Sequence, residues 1–270
     1  VTGGRVAGKV ALVTGAARGQ GRSHAVSLAE EGADVIAVDV CADNPVAEYP
    51  LATAEDLEQT VKAVEALDQR IVAVQADVRD AEALTAAVAQ GVARLGRLDV
   101  VVANAGICVL KTWDEVTPAI WQEILDVNLT GVWNTMTATV PHLIAAGGGS
   151  IICTGSTTAL KGVPFFAPYV AAKHGVVGLA EMMANELGQH SIRVNTVHPT
   201  GVRTTLTDGL ADLDRLIAAN PSVGGIFLNT MPVKFVAPRD VSNAVVYLAS
   251  DESRYVTGLS LTVDAGNTIR

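Results

Sequence analysis

The stretch Thr14-Gly15-Ala16-Ala17-Arg18-Gly19-Gln20-Gly21 follows the apolar run Val10 to Val13 and leads into an amphipathic segment that continues to Glu31. A strand that enters a glycine-rich turn and leaves as a helix presents backbone N–H groups, and the positive end of the helix, to a pyrophosphate. Gly15, Gly19 and Gly21 give the spacing GxxxGxG. Missing side chains at these points let backbone approach phosphate and let the helix pack tightly on the strand. A glycine motif alone is weak evidence, because tight turns need glycine anyway. Its place after the first strand, with Asp39 closing the second, strengthens it: a carboxylate there can accept hydrogen bonds from an adenosine ribose. The same carboxylate repels a ribose 2'-phosphate, which favours NAD over NADP, although Arg18 leaves an opening for the phosphorylated form.

Outward from this motif, short Val/Ile/Leu runs alternate with longer amphipathic stretches, the pattern of parallel strands covered by helices on both faces. Strands are predicted at Val10 to Thr14, Asp34 to Asp39, Ile71 to Ala76, Leu98 to Ala103, Ser150 to Thr154, Ile192 to His198 and Ser260 to Val263. Helices are predicted at about Gly21 to Glu31, Ala54 to Leu67, Ala81 to Leu95, Thr117 to Ala146, Tyr169 to Leu187 and Asp240 to Ser250, with Gly32, Gly96 and Gly188 as stops. The fold class is α/β: a doubly wound (Rossmann) seven-stranded parallel sheet in one domain spanning residues 1–270. Two segments break the rhythm. Residues 40–53, with Asp43-Asn44-Pro45 and Tyr49-Pro50, read as an irregular insertion beside the adenosine end. Residues 204–238 hold one helical pattern around Asp208 to Ala219 and read as a substrate-binding lid or, alternatively, as an embellishment packed permanently on the core or a neighbouring subunit.

The composition narrows the function classes. The chain has 270 residues, of which 49% are hydrophobic, ample for a substantial core. No apolar run is long enough to cross a bilayer, and Val1 to Lys9 lacks signal-peptide character, so a soluble, cytoplasmic protein is expected. A net charge of -9 disfavours nucleic acid as a partner. Cys41, Cys108 and Cys153 match no zinc spacing and read as reduced thiols; the histidines His142, His174, His190 and His198 show no paired ligand spacing, so no metal site is expected. His24 reads as a packing residue or a phosphate-side contact.

Further strand ends carry chemistry. Asp77-Val78 follows the third strand and Asn104-Ala105-Gly106 the fourth, both at the carboxyl edge where doubly wound sheets bind ligands. Asp77 is placed to meet the adenine amino group. Tyr169 and Lys173 are four apart, so on a helix they share a face and their charges can couple. A lysine ammonium, helped by an oxidised nicotinamide, favours the phenolate and makes it a usable base. Ser156, at the end of the fifth strand, can hydrogen-bond a substrate oxygen. The glycine motif and this triad together point to an alcohol or ketone oxidoreductase.

With these motifs in this order the chain resembles a short-chain dehydrogenase/reductase of the compact type, from Gly8 to Gly266. The resemblance implies that Tyr169 is the general acid/base, that Ser156 positions the carbinol or carbonyl oxygen, and that Lys173 lowers the tyrosine pKa while holding the nicotinamide ribose. It implies that Asn128, in Asp126-Val127-Asn128, supports a water relay to Lys173. The cofactor-contacting set becomes Gly15, Arg18, Gly19, Gln20, Gly21, Asp39, Asp77, Val78, Asn104, Ala105, Gly106, Tyr169, Lys173, Val202 and Thr204. Pro199-Thr200 departs from the family's usual Pro-Gly, while Thr204 keeps the place of the threonine near the carboxamide.

The insertion after Asp39, the sequence Gly21-Arg22-Ser23-His24 and the stretch His198-Pro199-Thr200 look most like the mycofactocin-linked branch, which includes carveol dehydrogenases. That likeness implies a tightly held NAD and electron transfer to mycofactocin, a peptide-derived redox partner, and the wider family implies a homotetramer. The reaction expected is interconversion of a hydrophobic, cyclic or terpenoid, secondary alcohol and its ketone, with Val109, Leu160, Val163, Phe165, Phe166, Leu206 and Met231 as candidate pocket residues. A non-catalytic nicotinamide-binding regulator or scaffold is the alternative, disfavoured by the intact Ser156, Tyr169 and Lys173; nucleotide-sugar epimerase or dehydratase chemistry would call for a longer substrate domain.

Overall fold

Neighbouring parallel strands need a crossover between them, and each amphipathic stretch of this chain supplies one. The computed structural model describes residues 4–270. It contains β1 (Val10–Thr14), α1 (Gly19–Glu30), β2 (Asp34–Asp39), α2 (Ala54–Glu65), β3 (Ile71–Gln75), α3 (Ala81–Leu95) and β4 (Val100–Ala103). After them come α4 (Pro118–Leu125), α5 (Gly131–Ala145), β5 (Gly149–Thr154), α6 (Ala167–Leu187) and β6 (Ile192–Pro199), then α7 (Thr205–Asp208), α8 (Leu213–Ala219), α9 (Pro238–Ala249) and β7 (Ser260–Val263). The strands form one parallel sheet in the order β3-β2-β1-β4-β5-β6-β7. The order reverses between β1 and β4, which opens a crevice beyond the carboxyl ends of those strands.

Strand alternation divides the core into two layers. Leu12, Ile36, Val101 and Ile151 pack with Leu84, Val88, Met136 and Val176 from α3, α5 and α6. Ala11, Val13, Val35, Ala37 and Val102 face the other way, toward Ala25 and Leu28 of α1 and Val241 and Val245 of α9. The alanines on this second face let α1 lie close to the sheet.

Helix ends follow local chemistry. Thr53 and Asp56 form a reciprocal capping box at the start of α2, and Gly96, left-handed at φ 94°, ends α3. Gly188 does not stop α6 in the expected way. It begins a short 3-10 turn, Gly188–His190, and the left-handed residue is Ser191 at φ 57°.

The single helix expected from Thr117 to Ala146 is divided. One π-helical turn, Asp126–Thr130, separates α4 from α5. Asn128 explains the break: its side-chain amide donates to the carbonyl of Ile124 at 2.9 Å and to that of Ile107 at 2.9 Å, and so takes a carbonyl that the helical ladder would use.

The insertion carries no helix or strand over 40–53 and reaches beyond the adenosine end where it was expected. Arg18 donates to the carbonyl of Pro50, Asn44 Nδ2 donates to Glu123 of α4 at 2.6 Å, and the Tyr49 hydroxyl accepts the Cys108 N–H at 3.1 Å, beyond β4. Residues 204–238 contain two short helices and a 3-10 turn, Pro221–Phe227, where the sequence suggests one helix. Gly209 marks the interruption, because the Tyr49 ring occupies the space a side chain there would need. The far end of this segment is bound to the C-terminal tail: the Ala265 carbonyl accepts the N–H groups of Thr230 and Met231, each at 3.0 Å, and Lys161 Nζ bridges the carbonyls of Ile226 and Asn267 at 2.9 and 2.6 Å.

The packing of α3 on β2 makes a stability prediction. A Cβ on Gly91 would lie 2.6–2.8 Å from three side-chain atoms of Ile36. Gly91→Ala should therefore cost about 1–3 kcal/mol in urea unfolding, and combining it with Ile36→Ala should cost less than the sum of the single changes, because the small residue removes the overlap.

Candidate active site

The crevice between β1 and β4 widens into a cavity of about 1020 Å³ that runs from the glycine turn to α8. Its floor is built by side-chain omission. A Cβ on Gly21 would stand 1.9 Å from the Gly15 carbonyl oxygen, and one on Gly15 would stand 2.9 Å from Cα of Ala105. The first turn of α1 has neither a side-chain cap nor an acidic residue, so its N–H groups are left for an anion at the cavity. Asp39 is fixed by the N–H groups of Ala17, at 2.9 Å, and Cys41, at 3.0 Å. Together the open helix end, the cradle and the carboxylate fit a dinucleotide lacking a 2'-phosphate.

Asn104 ties three strand ends together: Nδ2 donates to the Thr14 carbonyl at 3.0 Å, and Oδ1 accepts from the Thr154 hydroxyl at 3.2 Å. All the expected cofactor-contacting residues line the cavity: Gly15, Arg18, Gly19, Gln20, Gly21, Asp39, Asp77, Val78, Asn104, Ala105, Gly106, Tyr169, Lys173, Val202 and Thr204. Two carry additional partners. Arg18 is bound to the insertion at Pro50, and the Asp77 carboxylate is paired with Arg79, which also holds Glu123. Arg79 hydrogen bonds hold Asp77 below the usual carboxylate range, against the opposing effect of its burial.

Ser156 follows β5, while Tyr169 and Lys173 share one face of α6; all three meet at the middle of the cavity. The Lys173 Nζ donates to the Thr154 carbonyl at 2.7 Å and lies 5.5 Å from the centre of the Tyr169 ring. Its side chain is buried, and burial pushes its pKa down to about 8. Burial likewise raises the Tyr169 phenol above its ordinary value; Cys108 and Tyr49 add to the rise, and a hydrogen bond with Ser156 opposes it. The sequence reading has Lys173 lowering the phenol. Among the protein's own groups burial sets the direction, which is upward.

Asn128 does not line the cavity. It lies fully buried behind Gly106 with its Oδ1 unpartnered, and the same spot above Gly106 is approached by Lys173 Nζ. Its geometry therefore suits a bridging water. His24 is remote from the cavity: Nδ1 meets the Ser242 hydroxyl at 2.8 Å between α1 and α9, and burial lowers its pKa to about 3.

On the far side of Tyr169 the wall turns apolar. Val163, Phe166, Leu206 and Met231 line it as expected from the sequence. Val109, in the coil that follows β4, belongs instead to the main core, and Leu160, 39% exposed, lies on the outer surface. Phe165 stands one layer back, stacked on Phe227 with centroids 6.3 Å apart, and supports the wall from behind. The backbone of Phe165 is left-handed at φ 71°, which turns its neighbour Phe166 toward the cavity.

A family model described as enoyl-(acyl carrier protein) reductase matches residues 15–268. A short-chain type dehydrogenase/reductase of Mycolicibacterium smegmatis is 56% identical over 277 aligned positions, covering 99% of each chain. The chain is a short-chain dehydrogenase/reductase. This short-chain dehydrogenase/reductase is also 48% identical to the (-)-trans-carveol dehydrogenase of Rhodococcus erythropolis, over 98% of this chain and 99% of that one. The crystal structure of carveol dehydrogenase from Mycobacterium avium in complex with NAD superimposes with a TM-score of 0.93 at 50% identity, covering 99% of this chain and 100% of that one.

Tyr49 is the site residue that the motif reading of this short-chain dehydrogenase/reductase overlooks. It is buried, lines the cavity, reaches the Cys108 backbone and packs against Gly209. A tyrosine inside a polar, proline-bearing loop of a chain only 4% aromatic is the signal that points to it. Leu210, between the two short helices, Leu213, in the second of them, and Phe227, in the 3-10 turn, also join the apolar wall.

The buried ammonium has a thermodynamic signature. The Lys173 pKa of about 8 lies below the value of an unfolded lysine, ~10.4. Below both values the fold bears the cost of burying the charge. Between them the unfolded chain holds more protons, so stability rises with pH through that window. Lys173→Met lacks this gain. Urea unfolding should show wild type improving relative to K173M by about 2–3 kcal/mol between about pH 7 and about pH 10; a constant difference would refute it.

Proposed function

We propose that the chain interconverts a hydrophobic cyclic secondary alcohol and its ketone using NAD. The observation that carries this reading is the position of Ser156, Tyr169 and Lys173 at the junction between a dinucleotide cradle and an apolar chamber within one cavity. The two carveol dehydrogenases among its relatives and structural neighbours support a cyclic, terpenoid-like alcohol. Asp39 at the end of β2 supports NAD over its 2'-phosphorylated form.

When bound, NAD supplies the hydride acceptor. The protein's own groups do the rest. Ser156 holds the alcohol oxygen, and Tyr169 takes its proton as the carbon–oxygen bond gains double-bond character. Lys173, held by the Thr154 carbonyl, keeps positive charge beside the phenolate, and Asn128 supports a water through which the proton leaves toward solvent. Residues 204–238 close the apolar chamber and order the substrate.

The insertion over the cleft supports the finer reading that NAD is held tightly and reoxidised in place by mycofactocin. Trp133 of α5 lines a groove with Leu129, Gly175 and Gly178, and Trp121 of α4 and Met182 of α6 are also exposed; these apolar side chains support a homotetramer. Three free cysteines suit a reducing, cytoplasmic setting.

Ketone formed per active site, with a panel of cyclic secondary alcohols and excess NAD, tests the activity. Oxidation of at least one panel member is expected, and Tyr169→Phe should lower its rate by at least ~10²-fold while NAD still binds; a Tyr169→Phe variant as fast as wild type refutes the assigned base. Tight retention predicts about one ketone per site, with turnover restored by an artificial acceptor. Many turnovers on NAD alone would instead mean that the cofactor exchanges.

A further inference from the structure

His198 is fully buried at the end of β6, and the reaction outlined above makes no use of it. Its imidazole reaches across to the neighbouring strand end: Nδ1 lies 2.9 Å from the Ser156 carbonyl oxygen and 3.3 Å from the Ser156 nitrogen. On the other side Nε2 meets the Thr196 hydroxyl at 2.6 Å, and that hydroxyl continues to the Ser260 hydroxyl of β7 at 3.2 Å. Either neutral tautomer bonds to Ser156. With the proton on Nδ1 the ring donates to the Ser156 carbonyl; with the proton on Nε2 it donates to Thr196 and accepts the Ser156 N–H.

The sequence makes room for this contact. A Cβ on Gly155 would lie 2.5 Å from both Cε1 and Nδ1 of His198, so the ring occupies the side-chain space of the residue just before Ser156. Ser156 itself is extended, at φ -171°, and begins the short 3-10 turn Thr157–Ala159. Its hydroxyl accepts the Thr158 N–H at 3.2 Å and its carbonyl accepts the Ala159 N–H at 2.9 Å. The peptide units on both sides of the reacting hydroxyl are thus held from ahead by the turn and from the side by the imidazole.

We propose that His198 is a positioning residue that fixes the Ser156 backbone through Nδ1, and with it the direction of the Ser156 hydroxyl toward the substrate oxygen. Burial pushes the imidazole pKa down, against the opposing effect of its hydrogen bond with the Ser156 backbone, and so favours the neutral ring. The inference rests on the role proposed for Ser156. Its chemical logic is the sensitivity of bound-state geometry: a displacement of about 1 Å in an aligning group can lower a rate by about 10²-fold.

Two substitutions of similar polarity separate the contacts. His198→Asn keeps an amide near the Nδ1 position, facing Ser156, whereas His198→Gln carries its amide toward the Nε2 position, facing Thr196. His198→Asn should retain kcat within about threefold, while His198→Gln should lose about 10- to 100-fold in kcat with KM and NAD affinity nearly unchanged. In a Ser156→Ala background, His198→Gln should cost less than about twofold, since there is no longer a hydroxyl to aim. Gly155→Ala, which displaces the ring, should copy the His198→Gln profile.

The reverse order, with Gln active and Asn impaired, overturns the proposal. So does an equal loss from His198→Gln with and without the Ser156 hydroxyl, or a loss confined to NAD affinity. If Ser156→Ala alone leaves turnover intact, the role of Ser156 fails. If Ser156→Ala is impaired while His198→Gln is not, only the role of His198 fails.

Discussion

Everything in this molecule is arranged around the contact of α1 with the strand that precedes it. Gly21 passes so close to the Gly15 carbonyl that no side chain fits, and this contact points the first turn of α1 across the crevice between β1 and β4. The crevice exists because the strand order reverses there, and the parallel crossovers place every strand end on one side of the sheet. Asn104 then joins the ends of β1, β4 and β5, so the floor of the site is a single hydrogen-bonded surface. Without the close approach of α1, its open N–H groups and the Thr154 carbonyl that holds Lys173 would no longer share a rim.

Above that floor the site retains an unfavourable electrostatic arrangement. A buried ammonium and a buried phenol, with Lys173 Nζ 5.5 Å from the Tyr169 ring, are both driven by desolvation toward their neutral forms. Burying the Lys173 ammonium costs the fold stability. The unpartnered Oδ1 of Asn128, behind Gly106, is a second strained provision of the same kind.

The sheet was legible because its signals are local. Apolar runs, glycine spacing and the four-residue step from Tyr169 to Lys173 each depend on a few neighbouring residues, and the strand boundaries agree to within two residues. The π-turn at Asn128 was not legible, because its side-chain amide is held between the Ile124 carbonyl of the helix and that of Ile107, twenty-one residues away in the chain. Residues beyond strand ends were equally hard to assign: Val109, Phe165 and Phe166 are similar in hydropathy, yet backbone direction sends the first to the core, the second behind the wall and the third into the cavity. Tyr49 and His198 drew no site assignment because their significance comes from strands and loops brought together by the fold.

Tyr49 joins two tasks that short-range sequence keeps apart. It belongs to the loop that follows Asp39, yet its hydroxyl ends at Cys108 and its ring packs on Gly209 beside the apolar wall. The glycine-turn end and the apolar end of the cavity therefore share one wall. In evolutionary terms the two ends are linked: a lineage that remodels this loop disturbs the Cys108 backbone and the Gly209 turn in the same step, so a change at one end of the cavity is felt at the other.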